Sequence, residues 1–572
     1  MFENLKKINF ILKKKQKVRL FLISFGGIIS SFFEVLGIGS VGPIILGILS
    51  PQNLENYLYK FGFENLISSY DINTIIIFFF ILFVLAFTFR SVFSFFIASK
   101  IIKEGTEIQK DLRLRFIKKF NSLTLEKISE IKSSEVFHQI GHVTRIFAQN
   151  TVVKIFTLIS DSLIFITIIF LMFVTNVKLF FLIILILSGS YFFYFIFIRR
   201  KIEIFGRNFG EADEKFVELT KQMVTGFKTL KILQQQNKFL KYFEENNQKS
   251  GKSEYNYESI LLLPKVILEI SFIIIIASIF IFSIVLDGSI NPNSITLLGV
   301  FGIASARSIP LIYNIFNSIG NILGSTYSIN KIYEQIKTGE ELFDTQPNFD
   351  RADIYFENLK FVDVNFYFQN KKKVFENLNI KINKNEFVAI VGPSGVGKTT
   401  LIDLFCGLIK PKTGQILIGD KFDIHKNLYQ WQKKISYIPQ QNFIFRGSIL
   451  ENITFNKKLK DIDQSKLKII LEKVKLDKFI QENNLNYDYM ISEDGKNLSG
   501  GQAQRISLAR SLYFNKEIIV LDESLNSLNI ELQGEILQEF LKLKNQITLI
   551  LITHNKDNLK YFDQIINLDE IN

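Results

Sequence analysis

Six stretches of predominantly apolar residues dominate the first 325 positions of the chain. Each is about 20 residues long or longer, the length that a helix needs to cross the hydrocarbon core of a bilayer. Their approximate limits are 20–49, 73–98, 150–175, 178–199, 259–286 and 294–322. No comparable stretch follows. The pattern predicts a helical membrane domain with six transmembrane spans, residues 1–325, embedded in a lipid bilayer.

The basic residues give these spans an orientation. Seven Lys and Arg residues precede the first span, which has no small-residue cleavage site and is therefore expected to be a retained anchor. If the N-terminus stays in the cytoplasm, the outside connections are 51–72, 175–178 and 287–293, and only Lys60 and Lys178 fall within them. Because cytoplasmic loops are enriched in Lys and Arg, this is the orientation that we expect.

The two long inside connections, about 100–148 and 200–258, are charged and have helical rather than strand periodicity. They contain few Gly or Pro residues. One interpretation is that the spans continue well past the bilayer, turn in a short transverse helix and return. The other, equally compatible with periodicity alone, is ordinary solvated helices.

The pattern changes after the polar connector "KTGEELFDTQPNFDRAD". Short β-rich runs such as "FVAIVG", "KISYIP", "EIIVLDE" and "ITLILITH" then alternate with turns and helices. We therefore predict a linker at 326–350 and an α/β domain at 351–572.

Composition excludes several other classes of protein. Apolar residues make up 48% of the chain, with 59 Phe and 9 Pro, which excludes a disordered or low-complexity chain. The single cysteine, Cys406, excludes a disulfide framework, and with four scattered histidines we expect no Cys/His zinc site. The net charge of +13 is attributed to cytoplasmic loops, so no nucleic-acid partner is expected.

The α/β region contains a phosphate-binding motif in its required context. In "FVAIVGPSGVGKTT" an apolar strand leads into G-x-x-x-x-G-K-T and then an apolar helix. Backbone N–H groups and the helix N-terminus would hold the phosphates of a nucleotide, Lys398 would add a charge, and the Thr399 hydroxyl would bind Mg²⁺. The predicted nucleotide-binding residues of this loop are Gly392, Pro393, Ser394, Gly395, Val396, Gly397, Lys398, Thr399 and Thr400.

A second strand, "EIIVLDES", ends in two carboxylates. At the carboxyl edge of a buried parallel strand, Asp522 can hold Mg²⁺ through water and Glu523 can polarise an attacking water. The strand follows "NLSGGQAQR", a Gly-rich loop that opens a helix and so offers a second anion-binding end.

Five motifs in order, namely the P-loop, "YIPQQ", "LSGGQ", "VLDE" and "LITH", resemble those of the ATP-binding cassette family. The resemblance implies ATP and Mg²⁺ as cofactors, Glu523 as catalytic base, Gln440 as a catalytic and metal-binding residue, and His554 as the switch histidine. It also implies a head-to-tail homodimer, although a heterodimer with a paralogue remains open. In such a dimer, ATP on one P-loop is capped by signature residues of the other chain, here Ser499, Gly500, Gly501 and Gln502.

A few positions depart from the family pattern. Phe368, with Tyr367 beside it, stands where an aromatic residue, most often Tyr, stacks on adenine. Asn529 stands where an Asp usually helps the two ATP sites communicate, so coupling between the sites is in question.

Six spans fused ahead of one cassette resemble an exporter half-transporter of the type IV fold, in the inner membrane of a bacterium. The resemblance places coupling helices near 119–129 and 221–233. The sequence is similar in particular to bacterial flippases of lipid-linked oligosaccharides, through "SFFEVLGIGSVGPII", "LPKVILE" and its length. This implies a polyprenyl-pyrophosphate oligosaccharide as cargo. Exporters of peptides, lipids or drugs are the alternative, and a membrane-bound cassette sensor that transports nothing is a third reading.

Charged residues inside the spans mark the predicted substrate cavity, because a charge is costly there unless it faces a cavity or a partner. The candidates are Glu34, Arg90 and Arg307. Arg307 lies about 13 residues into the last span, about 18 Å deep. It could bind a pyrophosphate or neutralise Glu34. Lys265 and Glu269, four residues apart, are expected to pair with each other.

Overall fold

A computed structural model describes residues 2–60, 70–287, 292–343, 354–368, 373–456, 462–483, 486–526 and 528–570. The chain forms two compact units. The first comprises Met1–Leu123 and Ile128–Asp344, and the second comprises Thr124–Lys127 and Thr345–Asn572.

The first unit and the segment Thr124–Lys127 of the second are built of helices. In chain order they are α1 (Phe2–Ile11), α2 (Lys14–Phe25), α3 (Gly27–Gly39), α4 (Val41–Leu49), α5 (Pro51–Lys60), α6 (Ile72–Ser122), α7 (Leu125–Glu130), α8 (Ser133–His138), α9 (Thr144–Ile146), α10 (Lys154–Thr175), α11 (Val177–Phe193), α12 (Arg199–Thr225), α13 (Phe227–Ile232), α14 (Gln236–Asp287), α15 (Pro292–Gly324) and α16 (Thr326–Phe343).

Six helical runs of the described residues are long and apolar enough to cross a membrane, which confirms the six predicted spans. Together they cover Lys14–Leu49, Ile72–Ser122, Ser133–Thr175, Val177–Thr225, Gln236–Ile281 and Ile295–Gly324. Several continue far beyond the apolar windows: α6 has 51 residues, about 77 Å at 1.5 Å per residue, against a hydrocarbon core of about 30 Å. The short helices α7 and α13 lie at the two positions predicted for transverse helices.

Among the described residues, π-helical turns interrupt two of the long helical runs. They cover Gln139–Val143 and Phe147–Val153 in the third run and Tyr194–Ile198 in the fourth. A π turn carries about one residue more than an α turn.

The predicted linker differs from what the structure contains. Residues 326–343 form α16, which belongs to the first unit. Ile329 and Ile332 are fully buried in a cluster with Ile8 and Ile11 of α1. The polar residues between these isoleucines resemble a linker in composition, but the apolar spacing is that of an amphipathic helix. The rest of the predicted linker, 344–350, lies outside the described residues.

The second unit contains a four-stranded antiparallel sheet and a five-stranded parallel sheet. The strand order is β2-β1-β4-β5 in the first sheet and β11-β3-β10-β9-β6 in the second. The strands are β1 (Asn358–Tyr367), β2 (Lys373–Asn383), β3 (Phe387–Val391), β4 (Thr413–Ile418), β5 (Phe422–Asp423), β6 (Ile435–Ile438), β7 (Gly447–Ser448), β8 (Met490–Ile491), β9 (Ile518–Asp522), β10 (Thr548–Ile552) and β11 (Gln564–Asn567).

Helices surround the parallel sheet. They are α17 (Lys398–Phe405), α18 (Leu428–Lys433), α19 (Ile449–Thr454), α20 (Gln464–Lys473), α21 (Leu476–Glu482), α22 (Gly500–Tyr513) and α23 (Ile530–Leu541). The central strands β9 and β10 are buried along their whole length, as their unbroken apolar sequences require in a sheet covered on both faces. Their register pairs Ile552 with Asp522, so the segments that follow β3, β9 and β10 meet at one edge.

Candidate functional site

The segment between β3 and α17 is a tight glycine-rich loop. Gly397 caps α17 with φ of 108°, a left-handed conformation that side chains other than glycine rarely adopt. A Cβ at this position would lie 2.7 Å from Cγ1 of Val374. The loop therefore needs glycine both for its backbone angle and for space.

Lys398 folds back over this loop. Its Nζ donates to the carbonyl oxygens of Gly392 at 2.9 Å and Pro393 at 3.1 Å, and the residue is 6% exposed. The ammonium is thus fixed within the curve of the loop, where an anion on the loop's N–H groups would meet it. Thr399 is exposed whereas Thr400 is buried, so the Thr399 hydroxyl is the one open to a metal ion.

Asp522 ends β9 in a buried position at the same edge of the sheet. One carboxylate oxygen, Oδ2, accepts a hydrogen bond from the Tyr437 hydroxyl at 3.1 Å. Burial raises the pKa of Asp522. Tyr437 lies on β6 and was not among the residues predicted from the sequence. It is the first residue of the "YIPQQ" motif, but its contact with Asp522 depends on β6 lying next to β9 in the sheet.

Glu523 lies at the centre of a polar cluster that joins the three predicted catalytic residues. Its Oε2 accepts a hydrogen bond from Nε2 of Gln440 at 2.9 Å, and its Oε1 lies 3.0 Å from Nε2 of His554. Nζ of Lys398 is 4.0 Å from the same Oε1. The backbone of Glu523 has φ of 48°, a left-handed conformation that is costly for a residue with a side chain and is often found at functional sites.

The signature loop forms the N-terminus of α22. Ser499 is the N-cap: its Oγ accepts from the Gln502 N–H at 3.2 Å, and the Gln502 side chain accepts from the Ser499 N–H at 2.7 Å. This reciprocal pair is a capping box. Ser499 and Gly500 are exposed, so the positive end of the helix dipole faces solvent.

Arg510 is a second residue that the sequence did not single out. It donates to the carbonyl oxygens of Asn452 at 2.7 Å and Phe443 at 2.9 Å, and its guanidinium lies 5.1 Å from the ring centroid of Phe455. Burial lowers the pKa of Arg510 to about 10. The side chain thus ties the signature helix to the segment that follows Gln440. Its partners are backbone carbonyls, which leave no motif in the sequence.

At the two positions that depart from the family pattern, the structure shows an exposed aromatic ring and a helix N-cap. The Phe368 ring is 44% exposed and packs edge-on against Phe366, with 5.2 Å between ring centroids, so a face remains open for stacking. Asn529 is the N-cap of α23, and its Oδ1 accepts from the Leu532 N–H at 3.0 Å. Asn and Asp are about equally good N-caps, so this local role tolerates the replacement.

The predicted cavity residues of the first unit form a charge cluster. Glu34 on α3 is fully buried, and its Oε2 lies 2.7 Å from Nε of Arg90 on α6. Nε of Arg307 on α15 lies 4.0 Å from the other oxygen, and its guanidinium sits 4.1 Å from the ring centroid of Phe87. Arg90 is therefore the main partner of Glu34. Arg307, 39% exposed, makes the longer contact.

Other charged residues also lie within the predicted spans. Asp161 on α10 accepts a hydrogen bond from Asn314. Nζ of Lys265 is 3.9 Å from Oε1 of Glu269 on the same helix, the pairing predicted from their spacing.

The histidines are not scattered as the sequence suggested. His138 and His142 lie together with Asp213, all three donor atoms within 4.8 Å of one another. The expectation of no metal-binding cluster considered only Cys and His, whereas the third group is a carboxylate from a different helix. Cys406 lies buried in the second unit, where burial raises its pKa.

Comparison with known families finds two matches. A family model described as "ABC transporter transmembrane region" matches residues 20–305, and one described as "ABC transporter" matches residues 375–526.

The curated relatives are 24% to 34% identical to this chain over alignments of different length. The lactococcin-G-processing and transport ATP-binding protein LagD of Lactococcus lactis is 34% identical over 38% of this chain and 31% of its own length. ABC transporter B family member 1 of Dictyostelium discoideum is 26% identical over 76% of this chain and 48% of its own length. The transport/processing ATP-binding protein ComA of Streptococcus pneumoniae is 24% identical over 85% of this chain and 67% of its own length. The chain spans about a third of the length of LagD, about half of that of ABC transporter B family member 1 and about two thirds of that of ComA.

Among the solved structures that are similar to this chain is that of a bacterial Atm1-family ABC exporter with ATP bound, with a TM-score of 0.74. The match covers 97% of this chain and 94% of that chain at 17% identity, which establishes a shared fold.

Proposed function

Because the chain belongs to the ABC transporter family, we propose that it is a half-transporter that couples ATP binding and hydrolysis to the export of an amphipathic substrate. Its fold is the predicted type IV exporter fold, six membrane-spanning helices followed by a nucleotide-binding domain. The observation that carries the proposal is the contact of Glu523 with both Gln440 and His554 at the edge of the sheet that also bears the P-loop.

In this proposal the P-loop residues 392–400 hold the phosphates of ATP, and Phe368 stacks on the adenine. Thr399, Gln440 and Asp522 offer the oxygen ligands that Mg²⁺ prefers, and the buried carboxylate of Asp522 fits such an ion. When bound, Mg²⁺ would neutralise charge on the phosphates. Glu523 accepts a proton from the attacking water, and the contact with His554 orients it.

A homodimer is the proposed assembly. Each chain carries one P-loop and one signature loop, and the signature residues Ser499 and Gly500 present an exposed helix N-terminus suited to an anion from another chain. We place the dimer in the inner membrane of a bacterium with the N-terminus and the nucleotide-binding domain in the cytoplasm. The distribution of basic residues supports this orientation.

Peptides are the proposed cargo class. LagD and ComA, which are similar to this chain, are named as transport and processing proteins, and the former is named for a lactococcin. The ion pairs of the membrane domain also favour a peptide over a pyrophosphate, because the buried Glu34 already contacts Arg90 and Arg307. A pyrophosphate would have to compete with that carboxylate. The lipid-linked oligosaccharide therefore stands as the second candidate, supported by Arg307, whose guanidinium is partly exposed.

The catalytic assignment is tested with Glu523→Gln in purified protein. The amide keeps the shape of the side chain but cannot take a proton, so ATP binding should persist while turnover falls by about 100-fold or more. Glu531→Gln, at an exposed carboxylate on α23, is the matched control and should hydrolyse ATP normally. Near-normal hydrolysis by Glu523→Gln would reject Glu523 as the base.

The composite site is tested by mixing chains. Lys398→Ala and Ser499→Arg should each be inactive as homodimers, whereas their heterodimer places both lesions on one site and leaves the other intact. Regained ATPase activity after verified subunit exchange supports the dimer. No gain would contradict either the shared site or the independence of the two sites, and Asn529 would be examined next.

Export is tested in proteoliposomes, with transport and ATPase activity measured in parallel on peptides and on polyprenyl-pyrophosphate glycans. Peptide movement in proportion to turnover supports the proposal. Movement of glycans alone would reassign the cargo to the second candidate. Hydrolysis without movement of any substrate would favour the sensor reading.

A further inference from the structure

Two histidines and an aspartate of the first unit lie close together. His138 ends α8, His142 lies in the π turn that follows, and Asp213 lies on α12. Nε2 of His138 is 2.9 Å from Oδ2 of Asp213, and Nδ1 of His142 is 3.4 Å from the same oxygen. The two imidazole rings stack with 10° between their planes. Half of the histidines of the whole chain thus meet at one carboxylate.

These distances are close to those of a metal site. A tetrahedral zinc ion bound at about 2.1 Å keeps its ligand atoms about 3.4 Å apart. The distance from His142 to Asp213 already has this value, and that from His138 to Asp213 is shorter by about half an ångström. Side-chain rotations would suffice to open the second distance. Imidazole nitrogen and carboxylate oxygen are ligands that zinc shares with cobalt and nickel.

The cluster is largely enclosed by its surroundings. The His138 side chain is 1% exposed, and those of His142 and Asp213 are 23% and 22% exposed. The remaining open side leaves room for a water as fourth ligand, as in sites with three protein ligands.

Nδ1 of His138 is buried and has no hydrogen-bond partner among the described residues, so no local contact fixes the tautomer of this ring. With the proton on Nδ1, the lone pair of Nε2 is available to a metal ion beside Asp213.

We propose that His138, His142 and Asp213 bind one divalent transition-metal ion of the zinc class. The ion would join the segment 138–142 to α12 and so pin two helices of the first unit together.

The test uses the full-length protein in detergent without nucleotide, purified through a tag that contains no histidine. After equilibration with buffered micromolar zinc and gel filtration, metal content per chain is measured by mass spectrometry. We expect about one zinc per wild-type chain and a raised melting temperature with zinc. His142→Ala and Asp213→Asn should each lower the content by about tenfold or more and abolish the thermal shift. His425→Gln removes a half-buried histidine elsewhere and should retain the full content.

A gain-of-signal variant completes the test. His142→Cys supplies a thiolate, so Co²⁺ bound to this variant should show a sulfur-to-metal charge-transfer band that the wild type lacks. Asp213→Asn is nearly isosteric, so it decides the outcome if His142→Ala fails to fold. The proposal is overturned if wild-type protein retains no zinc, or if Asp213→Asn retains as much as wild type.

Discussion

Two arginines contact the buried carboxylate of Glu34 at different distances. We predict that Arg90→Met destabilises the membrane domain far more than Arg307→Met. Methionine keeps most of the apolar volume of the arginine stem, so the comparison isolates the lost charge. Arg90 contacts Glu34 at 2.7 Å and is 20% exposed, whereas Arg307 contacts it at 4.0 Å and is 39% exposed.

The expected magnitudes follow from these distances and exposures. Removing one partner of a buried ion pair costs about 3–5 kcal/mol, because the remaining charge stays buried and unpaired. Two unit charges 4 Å apart attract by about 4 kcal/mol at an effective dielectric of 20. For a guanidinium as exposed as that of Arg307, solvent screening reduces the net value to about 1 kcal/mol or less. Arg90→Met should therefore cost at least about three times as much as Arg307→Met.

The assay heats a fluorescent fusion of the protein in detergent to a series of temperatures. Size-exclusion chromatography then measures the fraction that remains folded, which gives the melting temperature. Intrinsic tryptophan fluorescence would not serve, because the single tryptophan, Trp431, lies in the second unit. At roughly 2 °C per kcal/mol, Arg90→Met should lower the melting temperature by about 6 °C or more. Adding Glu34→Gln should restore most of that loss. Equal losses for the two arginine variants, or no recovery in the double variant, would refute the reasoning.

Three further predictions concern the second unit. Gly397→Ala should weaken binding of a fluorescent ATP analogue, since strain of about 1–3 kcal/mol and a clash with Val374 distort the loop; Gly534→Ala, in open space on α23, should not. Asn529→Ala should lower the free energy of unfolding by about 1 kcal/mol in urea titrations, whereas Asn529→Asp should be neutral. Burial raises the pKa of Asp403 to about 6, so the folded state binds its proton more tightly than the unfolded state, and stability falls as the pH rises from about 4 to about 6. Asp403→Asn should thus stabilise the unit by about 1–2 kcal/mol at pH 7.5, a gain that shrinks towards pH 5; an equal gain at both pH values would contradict this account.

The nucleotide site was largely predictable because its motifs constrain the backbone. A glycine at 397, a lysine after it and a carboxylate at the end of a buried strand leave few alternative arrangements once the parallel sheet is formed. The contacts of Glu523 with Gln440 and His554 then follow from strand order, which the sequence resemblance supplied.

What the sequence could not predict depends on non-local geometry. Asp213 lies 75 residues from its partner His138, and no pattern connects them until two helices pack side by side. Tyr437 and Arg510 act through a neighbouring strand and through backbone carbonyls. The helix α16 was missed because its exposed face has the composition of a linker and only the isoleucine spacing indicates a helix.

The π turns of the third long helical run have a rotational consequence. Each extra residue advances the following side chains by about 100° around the axis relative to an uninterrupted α-helix. With turns at Gln139–Val143 and Phe147–Val153, the face that α10 presents is out of phase with the face that α8 presents. The two ends of this continuous helical run thus present faces that point in different directions around its axis. If one turn tightened to α geometry, α10 would swivel about its own axis without α8 having to move.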